Sequence, residues 1–256
     1  MAKAANDWRW HRLFPDREFL ELDQKDHIAR YIFAAGYVEG GGILDLGCGA
    51  GYGLDFLSRR SASAVGVDIS SSALIFAKRS YKGNFEISLQ DASSLGFRDD
   101  TFDIVVSFEV IEHLRRVQSY LSDVRRVLKP GGLFIVSTPN KTLMSPGRKS
   151  PIRKWHKREF YYHEFEALLK HYFVGVYVLG ERVSDPFWQN RLRRIGKLHK
   201  YLSIVPTNVL RLVPMSIVTA ITGPPPPVRL EDVQISRENV ETAETFVGVA
   251  RKAMRS

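Results

Sequence analysis

The chain has 256 residues, 44% of them hydrophobic and 25% charged, a balance that excludes a disordered or disulfide-stapled class and is ample for one large globular domain. Lysine and arginine exceed aspartate and glutamate by 37 to 28, a net charge of +9 that favours anionic partners without choosing among phosphate sugars, nucleic acid and acidic lipid. One cysteine, Cys48, excludes an internal disulfide and points to a reducing cytoplasm. In chain order, MAKAANDWRWHRLF lacks the apolar run of a secretion signal. Apolar residues at helical spacing, Leu22, Ile28, Ile32 and Phe33, predict a helix from Phe19 to Val38 laid against the downstream elements. Strands are expected at Ile43–Gly47, Ala64–Asp68, Phe85–Leu89, Phe102–Phe108 and Leu133–Ser137. Between them, helices are expected over Leu54–Arg60, from the Ser70/Ser71 cap to Lys78, and over Gln118–Leu128, where KPGG makes a turn. A helix from Glu159 to His171 precedes two further strands, Val174–Gly180 and Thr245–Arg251. Nearly continuous apolar strands alternating with helices argue for a parallel sheet covered on both faces.

The stretch ILDLGCGAGYG, at Ile43–Gly53, places four glycines at a strand-to-helix turn. Such turns, at the carboxyl edge of a parallel sheet, are where these folds bind ligands, and glycine lets a ligand approach bare backbone. A dinucleotide fingerprint needs glycine at its sixth position, which is Tyr52 here. Asp68 ends the second strand, where a carboxylate can accept both hydroxyls of a ribose, and Asp91 follows the third, where it can accept from an adenine amino group.

DLGCGAGYG, VGVDIS, QDASSLGF, FDIVVSFEVIEHL and LKPGGLFIVSTPN resemble, in order and spacing, the motifs of class I S-adenosylmethionine-dependent methyltransferases of type 11, over roughly Ile43 to Asn140. The resemblance implies a Rossmann-like α/β fold. Its seven-stranded sheet has the order 3-2-1-4-5-7-6, with the last strand antiparallel, helices on both faces and an insertion between the last two strands. It implies an N-terminal helical cap over 1–38 and a methyltransferase domain over 39–256, with a basic and apolar insertion at 182–243. It also implies S-adenosylmethionine as cofactor. Gly47, Gly49 and Gly51 would receive the methionine end, and Asp45 would reach its amino group, directly or through water. Asp68 would hold the ribose, and Asp91 with the backbone of Ala92 would read the adenine. Cys48 is read as a small buried loop residue, since nothing cationic adjoins it in sequence.

Methyl transfer is an in-line displacement, so positioning does most of the work, and a hydroxyl acceptor also needs its proton removed or its oxygen bound to a metal. Candidates for the catalytic role are Glu109, Glu112 and His113 in FEVIEHL, at the carboxyl edge of the fourth strand. At spacing E-x-x-E-H on a turn entering a helix, two carboxylates and an imidazole can converge on one divalent cation, with His156 or, second, His163 as a further ligand. The arrangement resembles ubiquinone-pathway O-methyltransferases and small-RNA 2′-O-methyltransferases, where such a motif with a later histidine is associated with a metal at the acceptor hydroxyl. Against it stand plainer readings: Glu112 paired with Arg115 or Arg116 on a solvated face, and His113 as a cleft histidine with satisfied partners.

RLFPDREF and HKREFYYHEFEALLKHYF resemble methyltransferases found with glycan and polysaccharide biosynthesis, where the acceptor is often a sugar hydroxyl. The expected acceptor is therefore a glycan or a lipid-linked small molecule. Phe187–Ile204 places Leu192, Ile195, Leu198 and Leu202 on one helical stripe among five arginines and lysines, a pattern that fits a membrane interface, a lid or a dimer contact. Val209–Gly223 is too short to span a bilayer and contains Arg211 and Pro214. The expectation is a cytoplasmic protein whose segment 187–221 touches acidic membrane on its inner face. The run Lys141–Arg158 is also free of acidic residues, yet no recognisable stacking platform accompanies it, so nucleic acid is not the expected partner. RNA 2′-O-methylation and a non-catalytic cofactor-binding scaffold at the membrane remain as alternatives.

Overall fold

A computed structural model describes residues 21–183 and 232–255. Eight strands form one sheet: β1 Gly42–Leu46, β2 Ser63–Asp68, β3 Glu86–Leu89, β4 Phe102–Phe108, β5 Leu128–Pro139, β6 Val174–Val183, β7 Val233–Ser236 and β8 Thr245–Arg251. Their order is β3-β2-β1-β4-β5-β8-β6-β7. Strands β1 to β5 pair in parallel, and β8 runs antiparallel to both β5 and β6.

The fold class is the one expected, with one strand more. The additional strand, β7, pairs antiparallel with the end of β6, from Gly180↔Ser236 to Val183↔Val233. Residues 182–183 and 233–236 of the expected insertion 182–243 therefore belong to the sheet. The basic stripe and the apolar segment expected at 187–221 lie outside the described residues.

Side-chain alternation explains why the strands read as unbroken apolar runs. Leu44, Val105, Phe134 and Val136 face one hydrophobic cluster, while Ile43, Ile104, Val106 and Ile135 face another. With successive residues pointing to opposite faces and both faces covered, no position can be polar without a partner. On the first face lie α4 (Val117–Val127) and α5 (Tyr162–Tyr172). Helix α4 buries Val117, Tyr120, Leu121, Val124 and Val127, a 3.6-residue stripe. The other face carries α1 (Glu21–Ala35) and α2 (Tyr52–Ser58), while α3 (Ser71–Ser80) packs beside β2 and β3. The Ser70 hydroxyl caps α3 by accepting from the Ala73 N–H. The expected KPGG turn is an excursion inside β5, whose register to β4 jumps from Phe102↔Leu128 to Ile104↔Leu133.

Helix α1 exists, but its buried face differs from the one expected. Ile28 and Ile32 are 37% and 45% exposed, whereas Arg30, Tyr31, Ala34 and Ala35 are buried. The polar residues go inward because each meets a buried carboxylate. Arg30 forks onto Glu181 of β6, with Nε and Nη2 donating at 2.7 and 2.8 Å. The Tyr31 hydroxyl donates to Asp45 of β1, 3.0 and 3.2 Å from its two oxygens. Burial works against the Arg30 charge, but the Glu181 and Glu109 carboxylates outweigh it and hold the guanidinium above its ordinary pKa. Among the described residues, no helix is long and apolar enough to cross a membrane.

Candidate functional site

The glycine turn is built by hydrogen bonds from its own backbone to the end of β2. The Gly47 and Cys48 N–H groups both donate to the Val67 carbonyl, at 2.7 and 3.0 Å. Gly47 sits at φ 88, and a Cβ there would come within 2.3 Å of the Val110 Cγ2, so only glycine closes the turn against the loop after β4. A Cβ at Gly53 would fall 2.0 Å from the Tyr31 ring, so that glycine lets α2 pack against α1.

The turn carries Gly49 to Asp68. One Asp68 oxygen accepts from the Gly49 N–H at 3.0 Å and the other from the Ser70 N–H at 2.8 Å. Asp91 accepts from the Ser93 N–H and hydroxyl, which lower its pKa, and lies 3.7 Å from Arg116. Ala92 packs half-buried beside it against the larger core cluster. Cys48 is buried, and burial pushes its thiol well up, which keeps it protonated and unreactive.

Asp45 is fully buried beneath the turn, beside the Tyr31 hydroxyl. Burial pushes its carboxyl up to about 7, against the lowering effect of the Tyr31 hydrogen bond, and Asp68 adds to the rise. The folded protein thus keeps a proton that the unfolded chain releases near pH 4. That stabilisation is complete below about pH 4 and fades as pH climbs through about 7, by on the order of 4 kcal/mol. Glu181 and Glu244 shift in the same direction, so the variant is read as a difference from wild type. Asp45→Asn is expected to gain thermal stability relative to wild type as pH rises from 5 to 8; melting profiles that stay parallel would contradict it.

A second group of side chains lies beyond β4. Backbone at Glu109 is left-handed (φ 56), and Ile111–His113 forms one 3-10 turn rather than the start of an α-helix. This geometry separates the two expected carboxylates. Glu112 points inward, fully buried, with His113 Nε2 3.6 Å from its Oε1 and the Thr138 hydroxyl donating to Oε2 at 3.4 Å. Ligand atoms of Glu112, His113 and His156 lie within 4.8 Å of one another. Glu109, expected with them, is elsewhere. It accepts from the Ser137 hydroxyl at 2.8 Å and lies 3.4 Å from Arg30, because the left-handed turn directs it toward α1. His163 is likewise elsewhere, stacked on Tyr161 at 5.8 Å.

Each imidazole of the cluster is oriented through Nδ1. His113 Nδ1 faces the Trp155 carbonyl at 3.3 Å; a carbonyl only accepts, so Nδ1 donates to it and Nε2 is turned toward Glu112. His156 Nδ1 meets Glu159 Oε1 at 2.7 Å, both groups buried, which likewise turns Nε2 away from Glu159. Glu159 was expected to open a helix. The pairing of His156 with Glu159 was not foreseen, although the two stand three residues apart in HKRE; Arg30 and Glu181, separated by 151 residues, gave no local signal.

The family model described as Methyltransferase domain matches residues 44–136, which span the glycine turn, Asp68, Asp91 and the Glu112–His113 turn. A protein of Mycolicibacterium smegmatis named "Probable S-adenosylmethionine-dependent methyltransferase" is 37% identical over 128 residues, 50% of this chain and 49% of its own. A ubiquinone biosynthesis O-methyltransferase of a Chelativorans species is 35% identical over 141 residues, 54% of this chain and 56% of its own. The chain spans between 49% and 63% of the length of the curated relatives it matches. A SAM-dependent methyltransferase structure from Archaeoglobus fulgidus superimposes at TM-score 0.58 with 19% identity, covering 91% of this chain and 94% of that one, which speaks for the fold. In motif order, sheet topology and these likenesses the chain is similar to the class I S-adenosylmethionine-dependent methyltransferases, and residues 44–136 match their methyltransferase domain.

Proposed function

We propose that this domain methylates a hydroxyl oxygen on a glycan or lipid-linked small molecule, with S-adenosylmethionine as donor. The observation that carries the proposal is the meeting of Glu112, His113 and His156 at the carboxyl edge of β4, with both imidazoles oriented through Nδ1. The likeness to ubiquinone biosynthesis O-methyltransferases supports oxygen as the target atom.

The glycine turn fits the donor. Gly47 and Gly49 present backbone without side chains at positive φ, and Asp68, whose oxygens accept from Gly49 and Ser70, would also accept the two ribose hydroxyls. Asp91 and Ala92 stand where an adenine would be read, and the buried Asp45 supplies negative potential toward an ammonium group once ionised. When bound, the sulfonium supplies an electrophilic methyl group, whose bonding pair remains with sulfur as the new bond to oxygen forms.

The protein's part is to position the acceptor and take its proton. In this reading His113 Nε2 takes the proton, and Glu112, 3.6 Å away, stabilises the imidazolium that results. The same three residues offer one carboxylate and two imidazoles, a donor set that suits a divalent cation, which would act as a Lewis acid toward the acceptor hydroxyl. Glu159 and the Trp155 carbonyl are the outer partners such a site requires.

The test is a screen of hydroxylated acceptors with radiolabelled donor, repeated with chelator. On the acceptor found, His113→Ala is expected to lower turnover by about 10²–10⁴-fold with cofactor affinity unchanged. A label found only on nitrogen or sulfur, or full turnover in both His113→Ala and Glu112→Gln, would contradict the proposal. Turnover lost in chelator and restored by added metal would assign the cluster to a cation; turnover indifferent to chelator would leave His113 as the base.

A further inference from the structure

Resting on that acceptor site, we propose that the acceptor carries a phosphate or diphosphate group held by the loop from Lys141 to Arg158. The loop holds seven lysines and arginines and no aspartate or glutamate. It leaves β5 at Asn140 and returns beside it at Phe160, where the Lys141 N–H donates to the Phe160 carbonyl at 3.0 Å. Its interior is tied by Ser145, whose hydroxyl accepts from the Ile152 N–H at 2.9 Å and whose carbonyl accepts from the Arg148 N–H at 3.1 Å.

The loop is also fastened to the candidate catalytic group. The N–H groups of Lys157 and Arg158 both donate to the Glu112 carbonyl, at 2.7 and 3.2 Å, and the Trp155 carbonyl holds His113. Lys149, Lys154, Lys157 and Arg158 are exposed. Among the described residues, no carboxylate forms an ion pair with Lys149, Lys154 or Lys157. An ordinary solvated face mixes charge signs; this one concentrates a single sign on a braced loop, where the cations repel one another until an anion arrives. A multiply charged, compact group such as a diphosphate gains most from such a field. The half-buried Trp155 and the shortness of the loop offer no row of stacking rings for a polynucleotide strand.

The experiment uses the full chain saturated with S-adenosylhomocysteine and titrates inorganic pyrophosphate, uridine diphosphate, farnesyl diphosphate in detergent micelles, and an unstructured RNA oligonucleotide. Pyrophosphate is expected to bind. The variant Lys149→Gln/Lys154→Gln/Lys157→Gln is expected to bind it at least about tenfold more weakly, with S-adenosylhomocysteine affinity unchanged, and salt is expected to weaken the wild-type interaction. Tighter binding of uridine diphosphate would support a free nucleotide-linked acceptor, and tighter binding of farnesyl diphosphate a lipid-linked one. Pyrophosphate binding that is absent, or equal in the triple variant, would overturn the proposal while leaving the methyltransferase reading intact. RNA bound more tightly than any diphosphate, and lost in the triple variant, would overturn it in favour of nucleic acid. Absence of S-adenosylhomocysteine binding would overturn the methyltransferase reading and this proposal together.

Discussion

Asp68→Ala is expected to weaken S-adenosylhomocysteine binding by about 10²–10⁴-fold. In the proposed site this carboxylate accepts both ribose hydroxyls, and each hydrogen bond to a charged acceptor contributes about 1.5–3 kcal/mol. The residue also braces the turn it serves, since its two oxygens accept from Gly49 and Ser70. Removing them strands two N–H groups, at a cost of about 1–3 kcal/mol in stability. Asp68→Asn is the intermediate case: that side chain keeps one carbonyl acceptor but loses the charge and half of the acceptor capacity, so one of the two N–H groups is still stranded, and both binding and melting temperature should fall to values between those of wild type and Asp68→Ala. Wild-type affinity in Asp68→Ala, measured on a variant shown to be folded, would remove Asp68 from the cofactor site.

Arg30→Ala should be the most destabilising single change in the described structure. The guanidinium is 3% exposed, forks onto Glu181, which is 2% exposed, and lies 3.4 Å from Glu109. Removing one partner of a buried pair leaves the other charge uncompensated, a loss of about 3–5 kcal/mol. For a chain of this size that corresponds to a fall of about 6–20 °C in melting temperature. The carboxylate left behind, Glu181, is already pushed upward by burial, so the variant will take up a proton to survive and its deficit will shrink at low pH. Arg30→Met combined with Glu181→Leu removes both charges and fills the same space, and it should recover most of the lost stability. A double variant as unstable as Arg30→Ala would show that the pair contributes through packing rather than charge. The contact ties α1 to β6 and, through Glu109, to the turn that carries Glu112, so acceptor turnover should fall with stability.

Strands β1, β4 and β5 were legible because burial on both faces leaves apolar runs such as Phe102–Phe108, whose bounds coincide with those expected. The glycine turn was legible for a different reason: Gly47, at φ 88 and against Val110, admits no other residue. Strand β7 was not, since Val233–Ser236 is four residues long, lies at the sheet edge and has no continuous apolar run. Nor was the buried face of α1. Hydrophobic spacing favoured Ile28 and Ile32, but the inward positions went to Arg30 and Tyr31, whose partners Glu181 and Asp45 stand on other strands. At the candidate catalytic group, two members of E-x-x-E-H, Glu112 and His113, lie together, and the third, Glu109, does not join them. Helical spacing joins Glu109 to Glu112, whereas the left-handed backbone at Glu109 sends the first carboxylate to Arg30 and the second to the histidines.

The central claim is that the glycine turn and Asp68 form one cofactor site. Isothermal calorimetry of the full chain with S-adenosylhomocysteine tests it most directly. The expected result is saturable binding at about one site per chain, lost in Asp68→Ala. A titration without heat at any concentration, or a curve that Asp68→Ala leaves unchanged, would contradict it.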